Sequence, residues 1–182
     1  MVLRTGLVLV LAMTAAQAAG GQPPPRTVDA VDLGAYMGTY YEIARFPNRF
    51  QKKCTGNVTA TYELRPDGLV TVINRCRTAA GTITEARGVA KRAGEDPSNA
   101  KLRVRFAPAF LSLLPAVWGD YWILGLGPGY SFAVVGDPSR TYLWILSRTP
   151  VMPDLAYRQA QDIAAANGYD VARLVKTEQG GR

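Results

Sequence analysis

The sequence predicts an all-β fold: an eight-stranded up-and-down antiparallel barrel with one C-terminal helix packed outside. Three observations carry this. Residues 38–147 divide into eight short, apolar-rich runs punctuated by clusters of Gly, Pro, Asn and Asp. The connections are mostly hairpin-short, which suits a meander, and closing a meander removes both exposed edges. A single helical pattern follows the last run, over residues 153–168.

In chain order the strands are expected at residues 38–46, 57–64, 69–75, 82–92, 101–106, 120–126, 130–135 and 141–147. The turn at 65–68 joins the second and third, and the Gly- and Pro-containing stretch 94–99 ends the fourth. The fifth shows the alternation most clearly: Leu102, Val104 and Phe106 share one face, and Lys101, Arg103 and Arg105 share the other. An outer-membrane barrel would turn those three cations to lipid, at roughly 2–4 kcal/mol each near mid-bilayer, so the apolar face belongs inside a water-surrounded barrel. In the helix, Pro153 lies in the first turn and Asn167-Gly168 marks the end. Its stripe of Ala156, Ala160, Ile163 and Ala164 is small enough for a close approach to the barrel wall. Residues 171–176 can add a short ninth strand.

Residues 1–18 read as a secretory signal: Arg4, an apolar run over 7–13, and the small-residue site Ala16-Gln17-Ala18. Residues 19–30 are expected as a flexible leader, 31–176 as the folded domain and 177–182 as a tail. Export implies a periplasmic or outer-membrane location, and no lipoprotein cysteine lies near the cleavage site. An oxidising compartment also permits a Cys54–Cys76 disulfide. A two-residue turn between Arg65 and Gly68 would leave the two cysteines within about three residues of facing each other, and a slight bulge could close the gap.

The chain contains no histidine, which removes the commonest general base and zinc ligand together. A Ser-His-Asp triad and a His-based zinc site are excluded. No catalytic residue, metal or cofactor is expected. The formal charge of +7 favours anionic partners. A basic stripe interleaved with exposed aromatics is missing, so no nucleic acid is expected among them.

Residues 38–46, GTYYEIARF, open the first strand, and residues 142–150, YLWILSRTP, close the eighth. With Gly136-Asp137-Pro138 before that last strand, these motifs resemble the lipocalin family, and the bacterial outer-membrane lipocalins most closely. The resemblance runs from about residue 31 to 175. Tyr40 stands where the family usually has tryptophan.

The resemblance implies a binding protein, not an enzyme, whose barrel takes a fatty acid or lysophospholipid. A lipocalin-fold enzyme acting on a hydrophobic small molecule and a structural envelope protein are the alternatives. It also implies that Arg148 covers Tyr40 at the barrel floor, because the first strand starts, and the eighth ends, at the same end of a meander. Alternation combined with the family pattern places Glu42, Val58, Ala60, Tyr62, Val72, Asn74, Ala86, Val104, Phe106, Tyr121, Ile123, Ala133, Tyr142 and Trp144 around the ligand. Glu42 is expected low in the barrel, hydrogen-bonded to a tyrosine.

Two loops at the open end are unusual. Residues 48–53 are basic and residues 110–118 are apolar. At a rim the apolar loop can serve as a lid, as a contact in a homodimer, or as a contact with a membrane surface.

Overall fold

The computed structural model describes residues 22–180. The expected export segment lies outside them. Eight strands close into one antiparallel barrel: β1 (Gly38–Arg45), β2 (Cys54–Leu64), β3 (Val70–Thr78), β4 (Ile83–Arg92), β5 (Lys101–Arg105), β6 (Gly119–Leu126), β7 (Phe132–Gly136) and β8 (Leu143–Ser147). Each pairs with its successor, and β1 pairs with both β8 and β2 to complete the ring. A short helix α1 (Leu33–Tyr36) precedes β1, and helix α2 (Asp154–Ala166) follows β8. Then β9 (Val175–Lys176) adds to β1.

Two apolar clusters divide the work of holding the barrel. The inner one fills the floor half with Tyr36, Tyr40, Tyr62, Val72, Ile123 and Ala133, among others. The outer one lies beneath α2, where Ala160 and Ala164 pack on Leu124, Val134, Leu143 and Ile145. This explains the doubly apolar β7 and β8: one face looks into the barrel and the other meets the helix.

Small residues set the helix-to-wall distance. A Cβ on Gly125 would lie 2.7 Å from Ile163 Cδ1, and one on Gly136 would overlap the Tyr169 hydroxyl. That hydroxyl donates to Asp137 O at 2.7 Å and accepts from Asp137 N at 3.0 Å. Burial pushes the Tyr169 phenol up to about 12, so it stays protonated and able to donate.

Several boundaries moved from the sequence expectation. The β2–β3 connection is three residues long, because Arg65 N bonds Leu69 O at 2.8 Å and Gly68 takes the left-handed conformation at φ 78°. Strand β2 begins at Cys54 rather than 57, and β7 begins at Phe132 rather than 130. Residues 22–32 hold to the end of α2 through Arg26 N to Asn167 Oδ1 (2.7 Å), and to the barrel through Val28 N to Ile123 O (3.0 Å) and Val31 N to Ser98 O (2.7 Å). Helix α1 was not anticipated: at four residues it is too short to show a period.

Besides the register shifts at the start of β2, bulges in β1 and β6 reset the alternation. One lies between Glu42 and Ala44 in β1, the other between Ile123 and Gly125 in β6. An extra residue in one strand moves everything beyond it to the opposite face. Glu42 therefore faces inward opposite Leu146, Ala44 faces the helix side, and Arg45 turns inward opposite Trp144.

Candidate functional site

The floor is closed by aromatic side chains. Asp32 caps α1 by accepting from Gly34 N (2.8 Å) and Ala35 N (3.2 Å), which points the one-turn helix across the barrel end. Tyr36 is thereby buried against Tyr40 and Tyr62. The Tyr121 hydroxyl bonds those of Tyr36 (2.7 Å) and Tyr62 (2.8 Å). Burial raises all three phenols above their ordinary range, so the cluster is uncharged at any physiological pH. The Arg148 guanidinium lies 3.8 Å from the Tyr40 ring centroid.

Above this layer the wall opens. Ala60, Asn74, Ala86 and Trp144 occupy inward register positions and Tyr142 stacks on Trp144 at the rim, whereas Val58 is buried where the β2 register shifts and Val104 lines the floor cavity. Ala86 is exposed although it faces inward opposite Asn74, so solvent reaches it from the mouth. Phe106 rests against Gly88, where a Cβ would come within 2.8 Å of its ring, and is 43% exposed. Tyr62 and Val72 wall a small floor cavity with Tyr121, whereas Ile123 and Ala133 are fully covered by other side chains. The sequence expectation thus spans two layers: an open upper wall and a sealed base.

The basic loop 48–53 bends over the mouth. Phe50 packs on Tyr142, which stacks on Trp144 with 5.8 Å between centroids. Gln51 reaches down to Glu42. Its orientation follows from its neighbours: Trp144 Nε1 can only donate, so it faces Gln51 Oε1 at 3.1 Å. Asn48 uses its Oδ1 on Phe50 N and Gln51 N, leaving its Nδ2 to donate to the same Oε1 at 2.7 Å. Gln51 Nε2 must then donate to Glu42 Oε2, at 2.5 Å.

Glu42 was expected to bond a tyrosine. The structure corrects this: its partners are Gln51, Thr177 Oγ1 at 2.5 Å, and Arg45 Nε at 3.3 Å. The tyrosines remain below it, tied to one another. At 3% exposure the carboxyl is pushed above the usual carboxylate range by burial, against the lowering effect of Thr177, Gln51 and Arg45.

The isosteric Glu42→Gln variant is therefore expected to lose about 1–3 kcal/mol of stability in denaturant unfolding. In either amide orientation an NH₂ group meets another donor, Gln51 on one side or Arg45 on the other. The native carboxyl takes up its proton at a higher pH than the unfolded chain does. Stability from this group is lowest above the raised folded pKa and increases as pH falls through it toward the unfolded value. The gap between wild type and Glu42→Gln should widen on acidification through that window; a constant gap would contradict the assignment.

The apolar loop between β5 and β6 is anchored through Trp118. Trp118 packs between Lys91 and Arg105, whose charged ends lie 4.3 and 5.3 Å from its ring centroid. Its Nε1 donates to Ser112 O at 2.8 Å. This fastens the loop to the outer wall and leaves Phe110 81% and Leu113 90% exposed.

Cys54 and Cys76 form a disulfide with their α-carbons 5.5 Å apart. Two register shifts between Cys54 and Thr59 bring them together, since Cys54 itself pairs with Thr78.

Residues 31–179 match the family profile described as "Lipocalin-like domain". The chain is a lipocalin. Temperature-induced lipocalin-1 of Arabidopsis thaliana is 44% identical over 153 residues, covering 84% of this chain and 81% of that protein. The outer membrane lipoprotein Blc of Escherichia coli is 39% identical over 182 residues, covering 96% and 98%. Apolipoprotein D of Mus musculus is 31% identical over 168 residues, covering 88% and 83%. Insecticyanin from Manduca sexta shares the fold with a TM-score of 0.69 at 18% identity, over 88% of this chain and 87% of that one. This lipocalin departs most from its sequence expectation at four residues that alternation did not mark: Tyr36, Arg45, Gln51 and Thr177. Tyr36 and Thr177 lie outside the barrel strands, Gln51 is in a loop, and Arg45 follows a bulge.

Proposed function

We propose that this lipocalin binds a single-chain lipid, a fatty acid or lysophospholipid, tail-first in the upper barrel, and stores or carries it in a bacterial cell envelope. The observation that supports this reading is an inward-facing apolar wall that solvent still reaches, above a floor sealed by tyrosines. The likeness to a protein named as an outer membrane lipoprotein supports the envelope location. The lack of histidine and the predominance of apolar residues on the wall favour binding over catalysis.

The exposed Phe110, Leu113 and Leu114 form the face that meets the membrane surface, and the exposed Lys91, over the Trp118 ring of the same loop, attracts anionic headgroups. In a homodimer the same residues would be the contact.

Titration with saturated acyl ligands should change Trp144 fluorescence, and affinity should rise by about 0.8 kcal/mol per added CH₂. It should then level off once the chain end reaches the Tyr36–Tyr62–Tyr121 layer. Folded protein with no response to any acyl ligand would refute lipid binding. When the ligand is presented in anionic vesicles, the Leu113→Ser/Leu114→Ser variant should capture it several-fold more slowly. Unchanged capture would remove the rim from the reading.

A further inference from the structure

The β1–β2 ladder stops at the Tyr41–Thr59 pair, and the C-terminal segment occupies the seam beyond it. Strand β9 pairs with β1 through Ala44–Lys176 and Arg45–Val175. Thr177 N then donates to Ile43 O at 2.9 Å, and Asn57 N donates to Glu178 O at 2.7 Å. Gln179 Nε2 joins the two strands directly, donating to Glu42 O at 2.8 Å and Val58 O at 2.9 Å. The segment supplies the hydrogen bonds that β1 and β2 no longer give each other.

Between this segment and β2 lies a polar pocket of about 240 Å³, walled by Arg45, Thr55, Gly56, Val58, Thr177 and Glu178. Arg45 walls this pocket and pairs with Trp144 on the inward face of β1, so the pocket adjoins the barrel interior. The space suits a headgroup but not a whole lipid, since pockets for drug-sized ligands run roughly 300–1,000 Å³.

Arg45 is the unusual member. The bulge after Glu42 turns it inward, and its side chain is only 16% exposed. Its ion pair among the described residues is with Glu42, through Nε at 3.3 Å, without hydrogen-bond geometry. Glu42 already receives two shorter bonds, from Gln51 and Thr177. A guanidinium offers five N–H donors in a planar fork suited to phosphate. Its Nε is buried without a hydrogen-bond partner, and the Glu42 pair leaves the terminal nitrogens to receive a second anion. The other charges nearby turn elsewhere: Lys176 Nζ sits over the Tyr157 ring, and the exposed Glu178 carboxylate faces Arg77 at 3.6 Å.

We propose that this seam pocket is a phosphate-headgroup site, with Arg45 receiving the phosphate oxygens of a lysophospholipid whose chain lies in the barrel. The inference rests on the lipid-binding reading and names the ligand class within it. The C-terminal segment is then a wall of the binding site.

Four probes test it: oleoyl lysophosphatidate, monooleoylglycerol, glycerol 3-phosphate and inorganic phosphate. Wild type should prefer lysophosphatidate over monooleoylglycerol by at least tenfold, and Arg45→Gln should erase most of that preference. Arg45→Lys, which keeps the charge and loses the fork, should retain an intermediate preference and guards against a folding defect in the glutamine variant. An unchanged ratio in both variants overturns the proposal. Wild type that binds neither acyl probe refutes lipid binding. In that case Arg45-dependent binding of glycerol 3-phosphate or inorganic phosphate would still support the pocket as an anion site, and its absence would overturn it.

Discussion

Replacing Arg148 with alanine is expected to destabilise the barrel by about 2–4 kcal/mol, as the loss of a cation–π contact and of charge-assisted hydrogen bonds. The guanidinium does four things at once. It covers the Tyr40 ring at 3.8 Å. Its Nη2 donates to Ala35 O at 2.8 Å and Tyr36 O at 3.2 Å, and its Nη1 donates to Thr39 O at 3.2 Å. Ala35 and Tyr36 end the one-turn helix α1, where carbonyls have no partner within the helix and a cation is favoured. The floor plug is thus tied to the last strand of the barrel by one side chain, across more than a hundred residues of sequence. Arg148→Lys should recover less than half of the loss, because a point ammonium cannot span three carbonyls and lie flat on a ring. Denaturant unfolding of the two variants measures this. A lysine variant equal to wild type would show that charge alone matters there, and an alanine variant within about 0.5 kcal/mol would show that the floor is held by its tyrosines.

Removing the disulfide in a Cys54→Ala/Cys76→Ala double variant is expected to cost about 3 kcal/mol on the chain-entropy description, for a sequence separation of 22. The bond closes the mouth end of the β2–β3 hairpin, where two register shifts interrupt the ladder. It therefore supplies order where backbone pairing is weakest. The neighbouring Lys53 reaches Thr84 Oγ1 at 3.2 Å, so the base of the mouth loop depends on the same region. Unfolding with and without reductant should shift the wild type by a similar amount and leave the double variant unmoved. A shift below about 1 kcal/mol in the wild type would mean that the unfolded chain is already compact around this hairpin.

The cysteine pair shows how far local reasoning reaches. The export expected from residues 1–18 and the turn after Leu64 are enough to expect the Cys54–Cys76 bond, because a hairpin register propagates residue by residue from its turn. The turn proved one residue longer than the simplest form, and the bulges absorbed the difference. Arg45 shows where the same reasoning stops. Simple alternation from Tyr40 and Glu42 puts Ala44 inside and Arg45 outside, and a bulge reverses both. Nothing local in Glu42-Ile43-Ala44 announces that bulge.

What the sequence determined by itself was the set of short-range decisions. The period-2 runs and their Gly, Pro and Asp punctuation specify eight antiparallel strands, and the Ala-rich stripe of α2 specifies a helix lying close on the wall. The tertiary structure decided which residues meet at the mouth. Glu42 joins Gln51 from a loop nine residues on and Thr177 from 135 residues on, and Gln179 ties β1 to β2 through their backbones. Those contacts exist because β1 and β2 part at their mouth ends and leave backbone groups that need partners. The need arises from the closed ring as a whole, so it left no periodic mark on any one strand.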